Sequence, residues 1–181
     1  MRKFALTFLL TFSFILTANA QEGVVVKLKK DYWISYVAKK AGFKVEFPEK
    51  PFYIDVDTST PPVKRTNHMY TSLANPIVYM VVYSDNPVLP LREKEDLNAD
   101  YDFLKSNLKN VKSEIISEKD IVSGNYKGRE ITSKAKDIIV IDRLFLINKK
   151  LYQVLVSIDE KDLKNEIKLK LVQRYFDSFT V

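Results

Sequence analysis

The chain has 181 residues, 46% of them hydrophobic, and a formal net charge of +6, which is the size and composition of one globular domain plus a tail. It carries no Cys, one His and 4 Gly. Those counts exclude a disulfide scaffold, a thiolate zinc site, an iron–sulfur cluster, a Cys nucleophile, any multi-His metal site and a glycine-rich phosphate loop.

The first segment reads as a targeting signal. Arg2 and Lys3 form a short basic start, residues 4–16 are apolar apart from hydroxyls, and Ala18-Asn19-Ala20 is a small-x-small cleavage site. The apolar run is shorter than the ~20 residues of a bilayer span. No Cys stands at the cleavage point to take a lipid. The expectation is a secretory signal over residues 1–20 cleaved after Ala20, a tail over 21–30 and one domain over 31–181. The destination is the periplasm or the medium, with no stable membrane anchor. Losing Arg2 and Lys3 takes the net charge from +6 to +4. A domain of this size buries roughly 70% of its unfolded surface, so it folds without staples.

Residues 31–37 read as a strand, and Lys39-Lys40-Ala41-Gly42 as a turn. Residues 43–47 alternate apolar and charged, so one face is buried and the other wet. Pro48 and Pro51 close that strand and open the next, over 52–56, which also alternates. Residues 58–62 read as a loop and 67–73 as a weaker strand. Residues 77–83 are apolar at every position, so both faces of this strand should be covered. Asp85-Asn86-Pro87 ends it.

Leu97, Tyr101, Leu104, Leu108 and Val111 then form a helical apolar stripe, with acids early and lysines late, in the order that suits the helix dipole. Residues 113–122 and 126–136 form a predicted hairpin around Ser123-Gly124-Asn125, and 138–147 and 151–158 a second one turning at 148–150. A last helix is predicted over 162–175, with Leu163, Ile167, Leu171 and Tyr175 on one stripe, and the chain end packing back on the sheet. Strands apolar on both faces need helices on both sides. The expected fold class is α+β, a single-domain α/β/α sandwich with a meandering antiparallel sheet.

Several segments together resemble a known family. Phe43-Lys44-Val45-Glu46-Phe47-Pro48-Glu49-Lys50-Pro51 resembles the opening F-x-V-x-F-P-x-x-P hairpin of PsbP-like proteins, the extrinsic photosystem II subunit family and its secreted bacterial relatives. Gly128-Arg129-Glu130 is similar to their G-x-E strand entry. The stretch from Arg143-Leu144-Phe145-Leu146 to residues 151–156 is similar to their R-x-F-L and L-Y-x-L-x-V hairpin, and Phe176-Asp177-Ser178-Phe179 to their F-x-S-F end. The resemblance spans about residues 33–181. It implies an α/β/α sandwich, non-enzymatic accessory or assembly roles, and no catalytic residues. The calcium or manganese ligands discussed for some plant members have no match here, so no metal role is carried over and no cofactor is expected.

Candidate chemistry is sparse. His68 would suit a lone general base, but no Cys or G-x-S-x-G serine element accompanies it. Asp55 and Asp57 flank Val56 and share a strand face, which would suit a hard cation, yet no D-x-D-x-D-G loop is present. Glu93, Glu95 and Asp96 form an acidic cluster before a helix and need no function. Lysines come in groups, among them Lys39 with Lys40 and Lys149 with Lys150. Export, the excess of Lys over Arg and the interleaved acids argue against nucleic acid. The many Tyr, Phe and Pro residues suit either a core or a peptide or glycan groove, and Trp33 is expected as a core anchor.

The expected function is an exported, non-enzymatic, monomeric accessory or binding protein. It would recognise an envelope or secreted partner through the sheet edge and the loops 58–67 and 85–94. The candidate binding residues are Tyr53, Asp55, Asp57, Lys64, Arg65, His68 and Arg92. The alternatives are a peripheral binder of anionic lipid or polysaccharide through the lysines, and a hydrolase built on His68.

Overall fold

A computed structural model describes residues 33–57, 66–74, 76–84 and 97–181. Strands β1 (Ile34–Ala38) and β2 (Phe43–Phe47) pair antiparallel as a separate ribbon. The remaining strands form one seven-stranded antiparallel sheet: β3 (Phe52–Asp57), β4 (Thr66–Ala74), β5 (Ile77–Ser84), β6 (Glu114–Ser123), β7 (Tyr126–Ala135), β8 (Ile138–Ile147) and β9 (Lys150–Asp159). Helix α1 (Leu97–Asn110) lies between β5 and β6 in sequence. A 3-10 turn, Glu160–Lys164, precedes helix α2, Glu166–Asp177.

The spatial order is β3-β4-β5-β9-β8-β7-β6. The sheet is therefore not one meander. Two meanders, β3 to β5 and β6 to β9, meet where β5 pairs with β9. The physical reason is burial. Every residue of β5 is buried, and β9 is buried except at Lys150, Gln153 and Asp159. Pairing the two most apolar strands puts both at the centre, where each face can be covered.

Alternation along β8 separates the two faces. Ile139, Ile141, Phe145 and Ile147 join the core around Tyr79, Tyr152, Tyr175, Phe176 and the ribbon residues Phe43, Val45 and Phe47. Leu144 and Leu146 join Tyr101 and Leu104 of α1. The large fully buried side chains include Tyr79, Tyr101, Tyr152 and Tyr175, each worth roughly 1.5–3 kcal/mol of apolar transfer. Trp33 is only partly buried at the margin of this core, edge-on to Tyr79 at 5.6 Å and under the Arg174 guanidinium at 4.8 Å.

The last helix also departs from expectation. Asn165 breaks 162–175 into the 3-10 turn and α2, its Oδ1 accepting from the amides of Ile167 and Lys168. The buried set is Val172, Tyr175 and Phe176, while Ile167 is exposed. A stripe at spacing 4 advances 400° per step, so it drifts around the cylinder and leaves the core face. The chain end does pack back. Phe179 stacks near Phe145 at 5.8 Å, and Thr180 bridges to Lys44 of β2.

The structure explains two of the recognised motifs. A Cβ on Gly128 would sit 2.5 Å from Phe145 Cε1 and 2.6 Å from the Leu144 carbonyl oxygen. Only glycine lets the ring lie across β7 there. Two residues on, Glu130 is buried and held by Arg143 at 2.6 Å and Lys119 at 2.9 Å. The R-x-F-L and G-x-E segments are thus two sides of one contact between β7 and β8.

The β8–β9 hairpin closes on Asn148 (φ 51°) and Lys149 (φ 64°). Positive φ at both central residues is the turn that matches strand twist, and glycine is the residue it favours at the second of them. Replacing Lys149 with glycine should therefore raise stability by about 1 kcal/mol, read as a higher urea midpoint with an unchanged slope.

Candidate functional site

The β3–β4 register sets Asp55 opposite His68, Tyr53 opposite Tyr70 and Asp57 opposite Thr66. Tyr53 and Asp55 lie two residues apart and so share a face. There they meet His68. Its Nδ1 is 2.6 Å from Asp55 Oδ1 and 2.9 Å from the Tyr53 hydroxyl, and that hydroxyl donates a short hydrogen bond to the same carboxylate oxygen. The imidazole lies roughly parallel to Tyr53 at 6.3 Å and to Tyr83 of β5 at 4.4 Å. The Lys150 ammonium stands 5.4 Å from the Tyr83 ring, and its Nζ donates to the Lys40 carbonyl at 3.3 Å.

The electrostatics follow from these contacts. The Tyr53 hydroxyl, then the His68 ring and the Lys40 charge, hold the Asp55 carboxyl below its ordinary value. The Tyr53 hydroxyl is pushed above its own ordinary value, first by desolvation and then by its bond to Asp55. Asp55 therefore stays a carboxylate through neutral pH. The His68 side chain is 17% exposed and that of Asp55 52%.

Chemically, the group is a carboxylate that orients an imidazole, with a phenol closing the triangle. Aromatic rings stack on the imidazole, and the whole lies at the edge of the sheet rather than under a helix. Among the described residues no group of three or more His, Cys, Asp or Glu is placed to hold a metal ion.

Sequence reasoning named Tyr53, Asp55 and His68, and the fold brings them together. Asp57 ends the same strand on the same face, opposite Thr66. Lys64, Arg65 and Arg92 lie outside the described residues, as do the loops 58–65 and 85–96, Glu93, Glu95, Asp96 and the cleavage site after Ala20. Tyr83, Lys40 and Lys150 belong to the site but were not singled out for it. Tyr83 follows from the local β4–β5 pairing, while Lys150 and Lys40 are brought in by the non-local pairing of β5 with β9 and by the packing of the β1–β2 turn, which spacing along the chain does not carry.

Around this triangle, β3 is not the half-buried strand its alternation predicts. Phe52, Tyr53 and Ile54 are 45%, 48% and 47% exposed, and Leu73 of β4 is 47% exposed. The reason is position. β3 ends the sheet, so its outer backbone has no neighbouring strand among the described residues. The opposite edge, β6, presents Glu118, Lys119 and Asp120 at its middle instead, the charged pattern that discourages pairing. Each edge mixes the two characters, since β6 also exposes Ile116 and Val122 on either side of that charged middle and β3 also carries Asp55 and Asp57; what sets β3 apart is the three consecutive exposed side chains Phe52, Tyr53 and Ile54.

No protein-family profile matches the chain, and no curated protein matches it. Among solved structures it is similar to cyanobacterial PsbP (CyanoP) from Synechocystis sp. PCC 6803, with a TM-score of 0.57 at 15% sequence identity, over 88% of this chain and 98% of that one. At that identity the likeness is one of fold, and the chain has a PsbP-like fold.

Proposed function

We propose that this is an exported, non-enzymatic accessory protein that docks on an envelope partner by adding an extended segment of that partner to the outer side of β3. The observation that carries the reading is the run of three exposed apolar or aromatic side chains, Phe52, Tyr53 and Ile54, at the start of the β3 edge, whereas the opposite edge has charge at its middle. In this reading the domain is an α/β/α sandwich, a rigid frame with α1 on one face and α2 with the ribbon on the other, and it is monomeric until the partner binds. The leader over residues 1–20 supplies the export. The PsbP-like fold supports an accessory role. No helix of the described residues is long and apolar enough to cross a membrane. His68 acts here as the brace that fixes Tyr53 and Asp55 on the edge, not as a base.

Capture of detergent-solubilised envelope by the tagged chain from residue 21 tests this. The expected result is one protein retained past about 0.5 M salt, where surface attraction is screened, and lost on Ile54→Asp. Retention unchanged by Ile54→Asp would contradict it.

A second reading has one observation behind it. The Lys39–Lys40 turn and the Lys149–Lys150 turn are brought together by the Lys150 contact to the Lys40 carbonyl. Four lysines at one end of the sheet suit anionic lipid or polysaccharide. Release of all bound material at low salt would favour it.

A further inference from the structure

The two sides of β3 belong to different layers of the fold. Ile54 stands opposite Met69, Met69 opposite Val82, Val82 opposite Gln153 and Gln153 opposite Leu144. Leu144 packs with Tyr101 of α1. Phe52, Ile54 and Val56 therefore lie on the α1 side of the sheet. Helix α1 itself rests mainly on β6, β7 and β8, at the far end of the strand order. A helix about 10 Å wide spans roughly two strand spacings, so its reach ends short of β3. On this side Phe52, Ile54 and Leu73 are exposed, and Val56 and Met69 are half-buried.

The other side of β3 carries Tyr53, Asp55 and Asp57 and faces the ribbon, whose Tyr36 lies 5.6 Å from Tyr70, the residue opposite Tyr53. Both hydrogen bonds to Asp55 fall on Oδ1, from the Tyr53 hydroxyl and the His68 ring. Oδ2 takes none among the described residues, and the side chain is 52% exposed. The Lys40 charge helps to keep the carboxyl ionised, yet no ion pair joins the two. The carboxylate thus stands at the edge with one oxygen still able to accept.

Charge selects among occupants. Two copies of β3 paired antiparallel about a two-fold axis keep like sides together, which gathers four carboxylates, two Asp55 and two Asp57, on one side. A segment with a basic side chain opposite Asp55 relieves that charge instead. We propose that the segment received by β3 is an alternating strand, with apolar side chains at every second position against Phe52, Ile54 and Val56, and a Lys or Arg on the ribbon side paired with Asp55. The proposal rests on the docking reading above and names the partner's chemistry within it. Backbone hydrogen bonds hold the segment. The apolar column and the ion pair set its register, since a slip of one residue sends the cation to the apolar side.

The test uses the chain from residue 21 and two short fluorescent peptides, one alternating Val with Lys and one alternating Val with Glu, with binding read by anisotropy. The net positive charge of the chain favours the acidic peptide, so a preference for the basic one isolates the edge. The expected result is binding of the basic peptide at least about fivefold tighter. Asp55→Asn should bring that preference below about twofold, and Asp55→Lys should reverse it. Ile54→Asp should weaken both peptides, whereas Asp120→Asn on β6 should change neither. Ile54 and Asp55 are both about half exposed, so their variants keep the fold. Equal binding of the two peptides, tighter binding of the acidic one, or a preference that survives Asp55→Asn would overturn the inference. So would a basic peptide that fails to bind a chain that still captures its envelope partner, or dimerisation of the parent that Ile54→Asp abolishes. The docking reading fails on a different result, capture indifferent to Ile54→Asp, so the two failures are separate.

Discussion

Replacing Asp142 with asparagine should stabilise the protein above neutral pH and flatten its stability-versus-pH curve. Asp142 lies in β8 among Ile138, Ile139, Val140, Ile141 and Leu144 and is buried. Gln153 Nε2 donates to its Oδ2 at 3.2 Å, while Oδ1 is buried without a hydrogen-bond partner among the described residues. Desolvation outweighs the Gln153 bond and pushes the carboxyl up to about 7 from an ordinary 3.8. The sign follows from linkage. Below pH 4 both folded and unfolded chains hold the proton, and Asp142 is neutral to stability. Between pH 4 and 7 the unfolded chain ionises while the folded one does not, so stability falls as pH rises. Above pH 7 the loss is complete, about 4 kcal/mol as an upper limit at 1.36 kcal/mol per unit. Asparagine keeps an acceptor for Gln153 and removes the ionisation. Urea midpoints at pH 5 and 8 should therefore differ for the parent by more than for the Asp142→Asn variant. Parallel curves would refute the account of this buried acid.

Removing Glu130 should cost about 3 kcal/mol, whereas removing its exposed partner Lys119 should cost less than 1. Glu130 has a side chain only 7% exposed, and its Oε2 is 2.6 Å from the Nε of Arg143, itself 17% exposed. The Arg143 guanidinium also lies 4.0 Å from the Phe176 ring centre, so it ties β7, β8 and α2 together. Glu130→Ala strands that cation in a low-dielectric site, the expensive case for a buried pair. Lys119 reaches Glu130 Oε1 at 2.9 Å but is 59% exposed, and water replaces it at little cost. Chemical denaturation of the two variants separates them. Equal losses would mean that the pair is not the element that joins the sheet to α2.

These two sites show what a linear reading reaches. The loss of alternation over 77–83 was enough to place β5 between two covered faces, because side-chain period reports burial directly. The hairpin turning at 148–150 was legible in the same way, from two apolar runs around a polar turn. Gly128 and Arg143 were visible as motif residues, yet their reason, a ring lying over bare backbone and a shared acid, needed the β7–β8 register. The pairing of β5 with β9 was not legible, since about seventy residues of chain intervene and no local pattern encodes a non-local neighbour. The exposure of β3 was legible only as one option, a solvated edge strand carrying Asp55 and Asp57. Its alternation is that of any half-buried strand, and only the sheet order makes it an edge. The meeting of Asp55 with His68 depends on that same register across the loop 58–65.

Function is legible to a similar depth. The absence of Cys and the single His set bounds on chemistry from composition alone. The fold adds an asymmetry that composition hides: one sheet edge with charge at its middle and one with Phe52, Tyr53 and Ile54 exposed in a row, braced by Tyr53, Asp55 and His68. That asymmetry is the central claim, because an edge that accepts a strand must gain backbone hydrogen bonds when it does so.

Amide hydrogen exchange along β3, measured with and without the captured partner, tests this most directly. The account predicts that the amides of residues 52–57 not bonded to β4 slow on binding, in an alternating pattern, while those of β6 are unchanged. Slowing confined to β6, or to the lysine turns at 39–40 and 149–150 with β3 unaffected, would contradict it.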